Sequence, residues 1–270
     1  MKLRKIVLGA AALFAGLFLT ACASSSNESL QEKIEDKGKL VVAISPDYAP
    51  FEFKALIDGK DTIVGADVEL AQAIADELGV ELELSSMSFD NVLSSLQNGK
   101  ADLAISGLSY TKERAEVYDF SEPYYETENA VLIKADDIDT YTSADSLSGQ
   151  KVAVQKGTIE ERLVKDQLSD ANIVPLTAMG EAINELKSGQ VQAVDLEKPV
   201  AEGYLSQNPD LALASFALET DEGDAKAVAM PKDSGELLKT VNKVIKQLKK
   251  EDKYKDFITE AAKLTGDAVE

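Results

Sequence analysis

The chain has 270 residues and a formal net charge of −20, from 28 lysines and arginines against 48 aspartates and glutamates. A surface this acidic repels nucleic acid and anionic lipid head groups, so nucleic-acid binding is excluded. The sequence has no histidine and one cysteine. These counts exclude histidine-based acid–base catalysis, histidine-ligated metal sites, intrachain disulfides and cysteine-rich zinc sites.

The N-terminus has the pattern of a targeting segment. Three basic residues lie within the first five positions, and residues 6–19 form an apolar run that is short for a membrane span. The run leads into Leu19-Thr20-Ala21-Cys22, which resembles a bacterial lipoprotein signal. That resemblance implies cleavage after residue 21 and a diacylglycerol on the sulfur of Cys22. The alternative is an ordinary secretory peptide with an incidental cysteine.

The segment that follows predicts a tether. Residues 22–38 are rich in serine, asparagine and glutamate, a composition typical of flexible linkers. With residues 1–21 as a signal peptide, we expect the folded part outside the cytoplasmic membrane, anchored by lipid rather than by a spanning helix. A tethered lipoprotein of this kind is associated with the surface of Gram-positive bacteria.

From residue 39 onward, short apolar runs alternate with amphipathic segments, which predicts an α/β fold. Residues 39–45 predict a first strand, and the loop 45–53 after it contains two prolines and three aromatic residues. These rings either fill the core or form a wall that receives an apolar or cationic part of a ligand. The next predicted elements are a turn at 58–60, a helix at 65–78, a strand at 80–84, a helix at 89–96, a buried strand at 101–105 and a helix at 111–117 with Thr111 as its N-cap.

The alternation continues to the C-terminus and contains one internal echo. Residues 92–106 and 182–197 both read as a helix, a glycine cap and a buried strand that ends in polar groups. Two similar lobes of this kind would present strand ends to a shared cleft, an arrangement suited to clamping a ligand. The other predicted elements are strands at 129–133, 151–155 and 173–174, helices that begin at 157 and 198, extended segments at 211–218 and 225–230, and helices at 234–248 and 257–264.

A candidate ligand site follows the buried strand at 101–105. The strand ends in small and hydroxyl-bearing residues, Ser106, Gly107 and Ser109, and Arg114 comes five residues later. Ligands bind at the carboxyl ends of parallel strands, and the guanidinium of arginine matches a carboxylate with two parallel hydrogen bonds. The alternative is that this stretch is an ordinary loop and Arg114 a solvated helix residue.

Several segments together resemble the bacterial extracytoplasmic solute-binding proteins of family 3, the polar amino-acid-binding lipoproteins of ABC transporters. The resemblance covers nearly the whole mature chain, from about residue 39 to 264. It is carried by Tyr48-Ala49-Pro50-Phe51-Glu52, Gly65-Ala66-Asp67-Val68-Glu69-Leu70, Ala104-Ile105-Ser106-Gly107-Leu108-Ser109 with Thr111 and Arg114, Val154-Gln155-Lys156-Gly157-Thr158, and Asp195-Leu196-Glu197-Lys198-Pro199-Val200-Ala201.

The resemblance implies the type II fold of periplasmic binding proteins, two α/β lobes joined by two hinge strands. By that pattern the first lobe is discontinuous and comprises residues 39–127 and 224–270. The second lobe comprises residues 128–223.

The resemblance also implies a role for each residue in the lobe 1 part of the site. Arg114 would grip the α-carboxylate of a bound amino acid. Ser106, Gly107 and Ser109 would supply hydroxyls and backbone groups around its α-amino and carboxylate ends.

The remaining implied contacts come from both lobes. The N–H groups of Thr158 and Ile159, at the start of a helix, would complete the carboxylate site. Glu197 stands where the family usually has an aspartate that pairs with the α-ammonium group. Tyr48 and Phe89 would flank the ligand side chain, although core packing is an equal explanation for Phe89.

The function implied is that of a non-enzymatic receptor. It binds a free polar L-amino acid between its lobes and delivers it to an ABC permease in the membrane, without cofactor or metal ion and as a monomer. The alternatives are a dehydratase-like enzyme on the same fold, or a surface adhesin or sensor domain.

The sequence leaves the ligand side chain open. Ser45 occupies a place where many members that bind basic or amide side chains carry an aspartate. The nearby acids Asp47 and Glu52 could still favour a cation, or could be solvated loop residues. A basic or amide side chain is therefore one of the options.

Overall fold

Two five-stranded sheets, each flanked by helices, organise the residues that the computed structural model describes, 28–220 and 224–268. The predicted signal peptide, Cys22 and the first residues of the predicted tether lie outside the described residues. Within those residues, no helix combines the length and apolar character that a membrane span requires.

The described helices and strands alternate along most of the chain. The helices are α1 (Leu30–Lys37), α2 (Ala66–Leu78), α3 (Phe89–Gln97), α4 (Lys112–Val117), α5 (Ile159–Gln167), α6 (Met179–Ser188), α7 (Lys198–Gln207), α8 (Gly235–Lys250) and α9 (Lys253–Leu264). The strands are β1 (Lys39–Ile44), β2 (Asp47–Tyr48), β3 (Glu52–Ile57), β4 (Lys60–Val64), β5 (Glu81–Ser86), β6 (Leu103–Ala104), β7 (Tyr118–Phe120), β8 (Tyr125–Thr127), β9 (Asn129–Lys134), β10 (Lys151–Gln155), β11 (Asn172–Leu176), β12 (Ala193–Glu197), β13 (Leu211–Leu213), β14 (Asp224–Lys226) and β15 (Ala229–Pro231).

The first sheet has the strand order β5-β1-β6-β15-β7. β1 lies parallel to β5 and β6, whereas β15 runs antiparallel to β6 and β7. Because β15 comes from the C-terminal part of the chain, residues far apart in sequence build one sheet. Helices α2 and α8 bury an apolar stripe beside it, in which Leu70, Ile74, Val241 and Ile245 are at most 1% exposed.

The second sheet has the order β11-β10-β12-β9-β13, with β10 to β12 parallel and β9 and β13 antiparallel. Its three central strands, β10, β12 and β9, are buried on both faces. Leu132 and Leu196 pack with α6, and Val131 and Val154 pack with Leu163 of α5. In a sheet that is covered on both faces, the ends of the strands remain available for contact with a ligand.

Two strands connect the sheets. The chain passes from the first sheet to the second through β8 and returns through β14, and these two strands pair antiparallel. Paired crossing strands give the two lobes a common hinge, so opening and closing can occur by small backbone rotations there.

Local chemistry places the helix that follows the first predicted site. The side chain of Thr111 accepts a hydrogen bond from the N–H of Arg114 at 3.1 Å, as the N-cap prediction requires. The start of α2 depends on Gly65, whose φ is +133° and where an added Cβ would lie 2.1 Å from the carbonyl oxygen of Phe51. Only glycine lets the chain approach β3 this closely.

Two sequence expectations are wrong in part. Residues 30–37, assigned to the tether, form α1, because Ser29 and Glu32 make a capping box and Ile34 is fully buried against the core. The loop expected at 45–53 contains β2 and the start of β3, and β3 pairs with β4 as a hairpin across the predicted turn. The prolines lie outside these strands, so they do not interrupt the pairing.

Candidate ligand-binding site

A small cavity lies between the ends of the two sheets and is lined from both lobes. Its volume is about 10 Å³, room for about one water molecule, so the two lobes are closed on each other. Eight of the nine residues proposed as ligand contacts line it; Ser106 does not. The lining residues are Tyr48, Phe89, Gly107, Ser109, Arg114, Gln155, Thr158, Ile159, Glu160 and Glu197.

Ser106 supports the loop from behind. Its hydroxyl accepts a hydrogen bond from the N–H of Ser45 at 2.9 Å and donates one to Oε1 of Glu52 at 2.7 Å. The hydroxyl predicted to contact ligand therefore ties the strand end to the loop after β1.

A buried carboxylate holds the neighbouring residue of the loop. Oδ2 of Asp67 accepts hydrogen bonds from the N–H of Gly107 at 2.7 Å and from the hydroxyl of Tyr124 at 3.0 Å. Oδ1 accepts a third from the hydroxyl of Tyr254 at 2.5 Å. Gly107 has φ +50°, and a Cβ there would lie 3.2 Å from the ring of Tyr48. The carboxylate that holds Gly107 is thus itself held by tyrosines from two distant parts of the chain.

Asp67 and Glu52 are both fully buried and share this environment. Burial and the charge of Asp67 raise the pKa of Glu52 well above its usual range. Burial raises the pKa of Asp67 too, but its three donors favour the charged form. We therefore assign the negative charge to Asp67 and a proton to Glu52.

Arg114 bridges the two lobes at the rim of the cavity. One amino group of its guanidinium donates to the carbonyl oxygen of Ser109 at 2.7 Å, and the other donates to that of Gly157 at 3.0 Å. Its guanidinium is therefore held at the cleft between lobes, unlike that of a solvated helix residue.

The lobe 2 wall is the first turn of α5. The hydroxyl of Thr158 accepts from the N–H of Glu161 at 3.3 Å and donates to the carbonyl oxygen of Gln155 at 2.7 Å. Ile159 and Glu160 follow and are buried. The N–H groups of a first helical turn and the positive end of the helix dipole make such a turn favourable for a carboxylate.

The cleft wall contains an acid and an amide that sequence reasoning missed. Glu160 lines the cavity and is 3% exposed. In the sequence, Glu160 was interpreted only as an acid that interacts favourably with the dipole of the helix it begins. That interpretation gave no reason to expect its side chain in the cavity wall. Gln155 is the last residue of β10. A polar residue at the end of a buried strand was the sequence signal that could have indicated its place in the site.

Glu197 ends β12 and meets a buried lysine. The ammonium of Lys226 forms a salt bridge with Oε1 of Glu197 and donates to the hydroxyl of Ser109 at 2.6 Å. The N–H of Glu197 donates to the hydroxyl of Tyr48 at 3.4 Å. Lys226 was overlooked, although a single lysine within the apolar run 225–230 was a signal for a buried charge.

Further contacts hold the lobes together beside the cavity. The carboxylate of Asp47 accepts from Nε2 of Gln155 at 3.0 Å and from the N–H of Met179 at 2.9 Å. Burial raises the pKa of Asp47. Lys156 bonds Asp90 at 2.8 Å, and this hydrogen bond lowers the pKa of the Asp90 carboxyl. Closure is therefore held by polar contacts that opening would expose to water.

A larger interlobe cavity, about 750 Å³ in volume, lies beyond the contact between Asp47 and Gln155. Pro46, Phe53 and Tyr204 are among its lining residues, and it contains none of the nine predicted ligand contacts. Among the described residues, no cluster of acids or other ligands could hold a metal ion.

Comparison with known proteins identifies the family. Residues 40–260 match the model of the bacterial extracellular solute-binding proteins, family 3, and the chain belongs to that family. Its architecture is that of the type II periplasmic binding proteins.

Individual relatives agree with this assignment. An amino-acid ABC transporter substrate-binding protein from Streptococcus pneumoniae, solved bound to L-arginine, is 54% identical, with a TM-score of 0.86 over 87% of this chain and 98% of that one. The arginine-binding extracellular protein ArtP of Bacillus subtilis is 36% identical over 85% of this chain and 87% of its own. A probable histidine-binding protein of Campylobacter jejuni is 31% identical over 95% and 98%.

The proton assigned to Glu52 predicts how the stability of the fold depends on pH. The raised pKa of Glu52 means that its contribution to stability is complete below its usual value of about 4.5 and declines as the pH rises toward the folded-state pKa. Glutamine can still accept the hydrogen bond from Ser106, and it does not titrate. We expect Glu52→Gln to raise the melting temperature at neutral pH by roughly a few degrees, an advantage that shrinks on acidification.

Thermal melts between about pH 4 and pH 8 test this expectation. Glu69→Gln, which removes an exposed acid from the first turn of α2, is the matched control and should show no such trend. Equal destabilisation of Glu52→Gln at every pH would contradict the assignment of the proton.

Proposed function

We propose that this chain is the substrate-binding protein of an amino-acid ABC importer, that it binds free L-arginine between its lobes and that it delivers the ligand to a membrane permease. The observation that carries the proposal is the convergence of Arg114, the first turn of α5 and Glu197 on one interlobe cavity. These groups provide a clamp of opposite charges for the two ends of an amino acid. One relative solved with bound L-arginine and another named as arginine-binding support the choice of ligand.

The carboxylate end follows from the present partners of Arg114. Its guanidinium bonds one carbonyl from each lobe, Ser109 and Gly157. The charged carboxylate of a ligand is a stronger hydrogen-bond acceptor than these neutral carbonyls. It can also accept hydrogen bonds from the N–H groups of Thr158 and Ile159. The ligand would thus replace the direct contact between lobes with a charged bridge.

The side-chain end follows from the cavity walls. Tyr48 and Phe89 present aromatic rings, and a guanidinium stacks on such rings as a planar cation. Glu160 supplies a buried acid in the same wall. Asp47 and Glu52, the acids suggested earlier, are instead engaged in the interlobe contact and behind the loop. We assign the guanidinium to the wall formed by Tyr48, Phe89 and Glu160.

The lobes proposed from the resemblance comprise residues 39–127 with 224–270, and residues 128–223. Ligand contacts made only in the closed form would shift the population toward closure about β8 and β14. From the family resemblance we also propose that the chain acts as a monomer.

We propose binding rather than catalysis. Glu197 is neutralised by Lys226, and an ion-paired carboxylate has little basicity for proton transfer. The dehydratase alternative requires a base with a raised pKa aimed at substrate, a role that this pairing opposes.

Calorimetric titration with L-arginine tests the ligand and the role of Arg114. We expect Arg114→Ala to weaken binding about 100-fold, because one charged partner of the clamp is removed. Arg162→Ala, on the exposed face of α5, is the matched control and should bind like wild type. Chromatography should recover the ligand unchanged.

Unchanged affinity in Arg114→Ala would contradict the carboxylate assignment. Binding of L-histidine in preference to L-arginine would contradict the choice of ligand but would agree with an amino-acid-binding function. A chemically altered ligand would contradict the non-enzymatic function.

We also propose that the mature chain is anchored through a lipid on Cys22 to the outer face of the cytoplasmic membrane of a Gram-positive cell. The support is the lipoprotein-type sequence at residues 19–22. Two lipid signals give stable attachment, and a diacylglycerol supplies two chains. In a Gram-positive host we expect radiolabelled palmitate in the wild type and not in Cys22→Ser. Label in the variant, or none in the wild type, would contradict the anchor.

A further inference from the structure

Lys226 is a fully buried cation on the hinge. It ends β14, one of the two strands that join the lobes, and it is 0% exposed. Its backbone bridges to Ser109 in antiparallel pairing, which fixes the start of its side chain beside the site. A lysine with no exposure at a hinge is unusual, because removing an ammonium group from water is unfavourable unless partners compensate for its lost hydration.

The partners that compensate it are the groups proposed for the ligand. Oε1 of Glu197 forms its salt bridge, and the hydroxyl of Ser109 accepts a hydrogen bond at 2.6 Å. Both residues line the cavity, whose volume of about 10 Å³ is too small for an amino acid. The ammonium of Lys226 therefore holds the contacts that an α-ammonium group would make in the same place.

We propose that Lys226 is a specificity-determining residue, a tethered cation that competes with the α-ammonium group of the ligand for Glu197 and Ser109. This inference rests on the proposed function, because it assumes that Glu197 receives that group. An incoming α-ammonium must take the carboxylate from Lys226 or share it with a like charge nearby. Either course opposes binding of the α-ammonium and leaves the α-carboxylate and side-chain contacts unaffected.

As a consequence, the affinity of the site for a ligand depends less on the α-amino group than the presence of Glu197 alone would suggest. With Lys226 in place, Glu197 remains paired when the ligand has no α-ammonium, so a deaminated analogue leaves no buried charge without compensation. Without Lys226, Glu197 loses that salt bridge, and the α-ammonium group of a ligand is a cation that can replace it. Lys226 thus narrows the difference in affinity between an amino acid and its deaminated analogue.

The experiment compares two ligands in wild type and Lys226→Met. The ligands are L-arginine and δ-guanidinovaleric acid, which is L-arginine without its α-amino group. We expect the dissociation constant of L-arginine to fall about tenfold in the variant and that of the analogue to stay within about twofold or to rise. Ligand-observed NMR titration measures constants into the millimolar range, so both ligands are accessible.

Two further variants keep the comparison specific. Lys198→Met removes a lysine of equal charge from the exposed start of α7, where it pairs with Glu128, and should change neither constant by more than about twofold. Lys226→Gln is the second neutral variant, used if Lys226→Met does not fold, and the same differential effect is expected of it.

Equal changes for both ligands would show that Lys226 is only structural and would overturn the inference. A larger dissociation constant for L-arginine alone in Lys226→Met would overturn the inference too, because Lys226 would then help to hold the α-ammonium group. Wild type that binds neither these ligands nor another amino acid would contradict the proposed function itself. If another amino acid binds, it and its deaminated analogue replace the arginine pair in the same comparison.

Discussion

The buried carboxylate of Asp67 is the interaction on which the site depends most. It accepts hydrogen bonds from the N–H of Gly107 and from the hydroxyls of Tyr124 and Tyr254. The start of α2 is thereby joined to the loop after β6, to the residue before β8 and to α9. Three hydrogen-bond donors compensate for the burial of this charge. The protonated Glu52 completes the arrangement through Ser106. The loop that carries Ser109 toward the cavity therefore begins on a rigid base.

Closure between the lobes exchanges one set of polar contacts for another. In the closed arrangement Arg114 bonds carbonyls of both lobes, Lys156 meets Asp90, and Asp47 meets the start of α6. These contacts are individually modest, since water replaces them on opening. A ligand with a carboxylate and a cationic side chain would add charged contacts to both lobes at once. Such a ligand can shift the equilibrium because its contacts require both walls.

Local signals in the sequence predicted most of the fold, and tertiary contacts account for what was missed. The N-cap at Thr111 and the buried strands before the cleft have short-range patterns, so they were predictable. The helix α1 was hidden because its polar composition resembles a tether and only a few apolar residues anchor it. The family resemblance indicated eight of the residues that line the small cavity, and their roles toward a ligand stay predictions. Lys226 was not indicated, because its role arises from pairing with Glu197, which is distant in sequence.

The central claim is that a free amino acid binds between the lobes with its carboxylate on Arg114. A crystal structure of the protein with L-arginine tests it most directly. The account predicts closed lobes, the ligand carboxylate against Arg114 and the first turn of α5, and the guanidinium between Tyr48 and Phe89. Ligand in the larger cavity beside Asp47, or a carboxylate turned away from Arg114, would contradict the account.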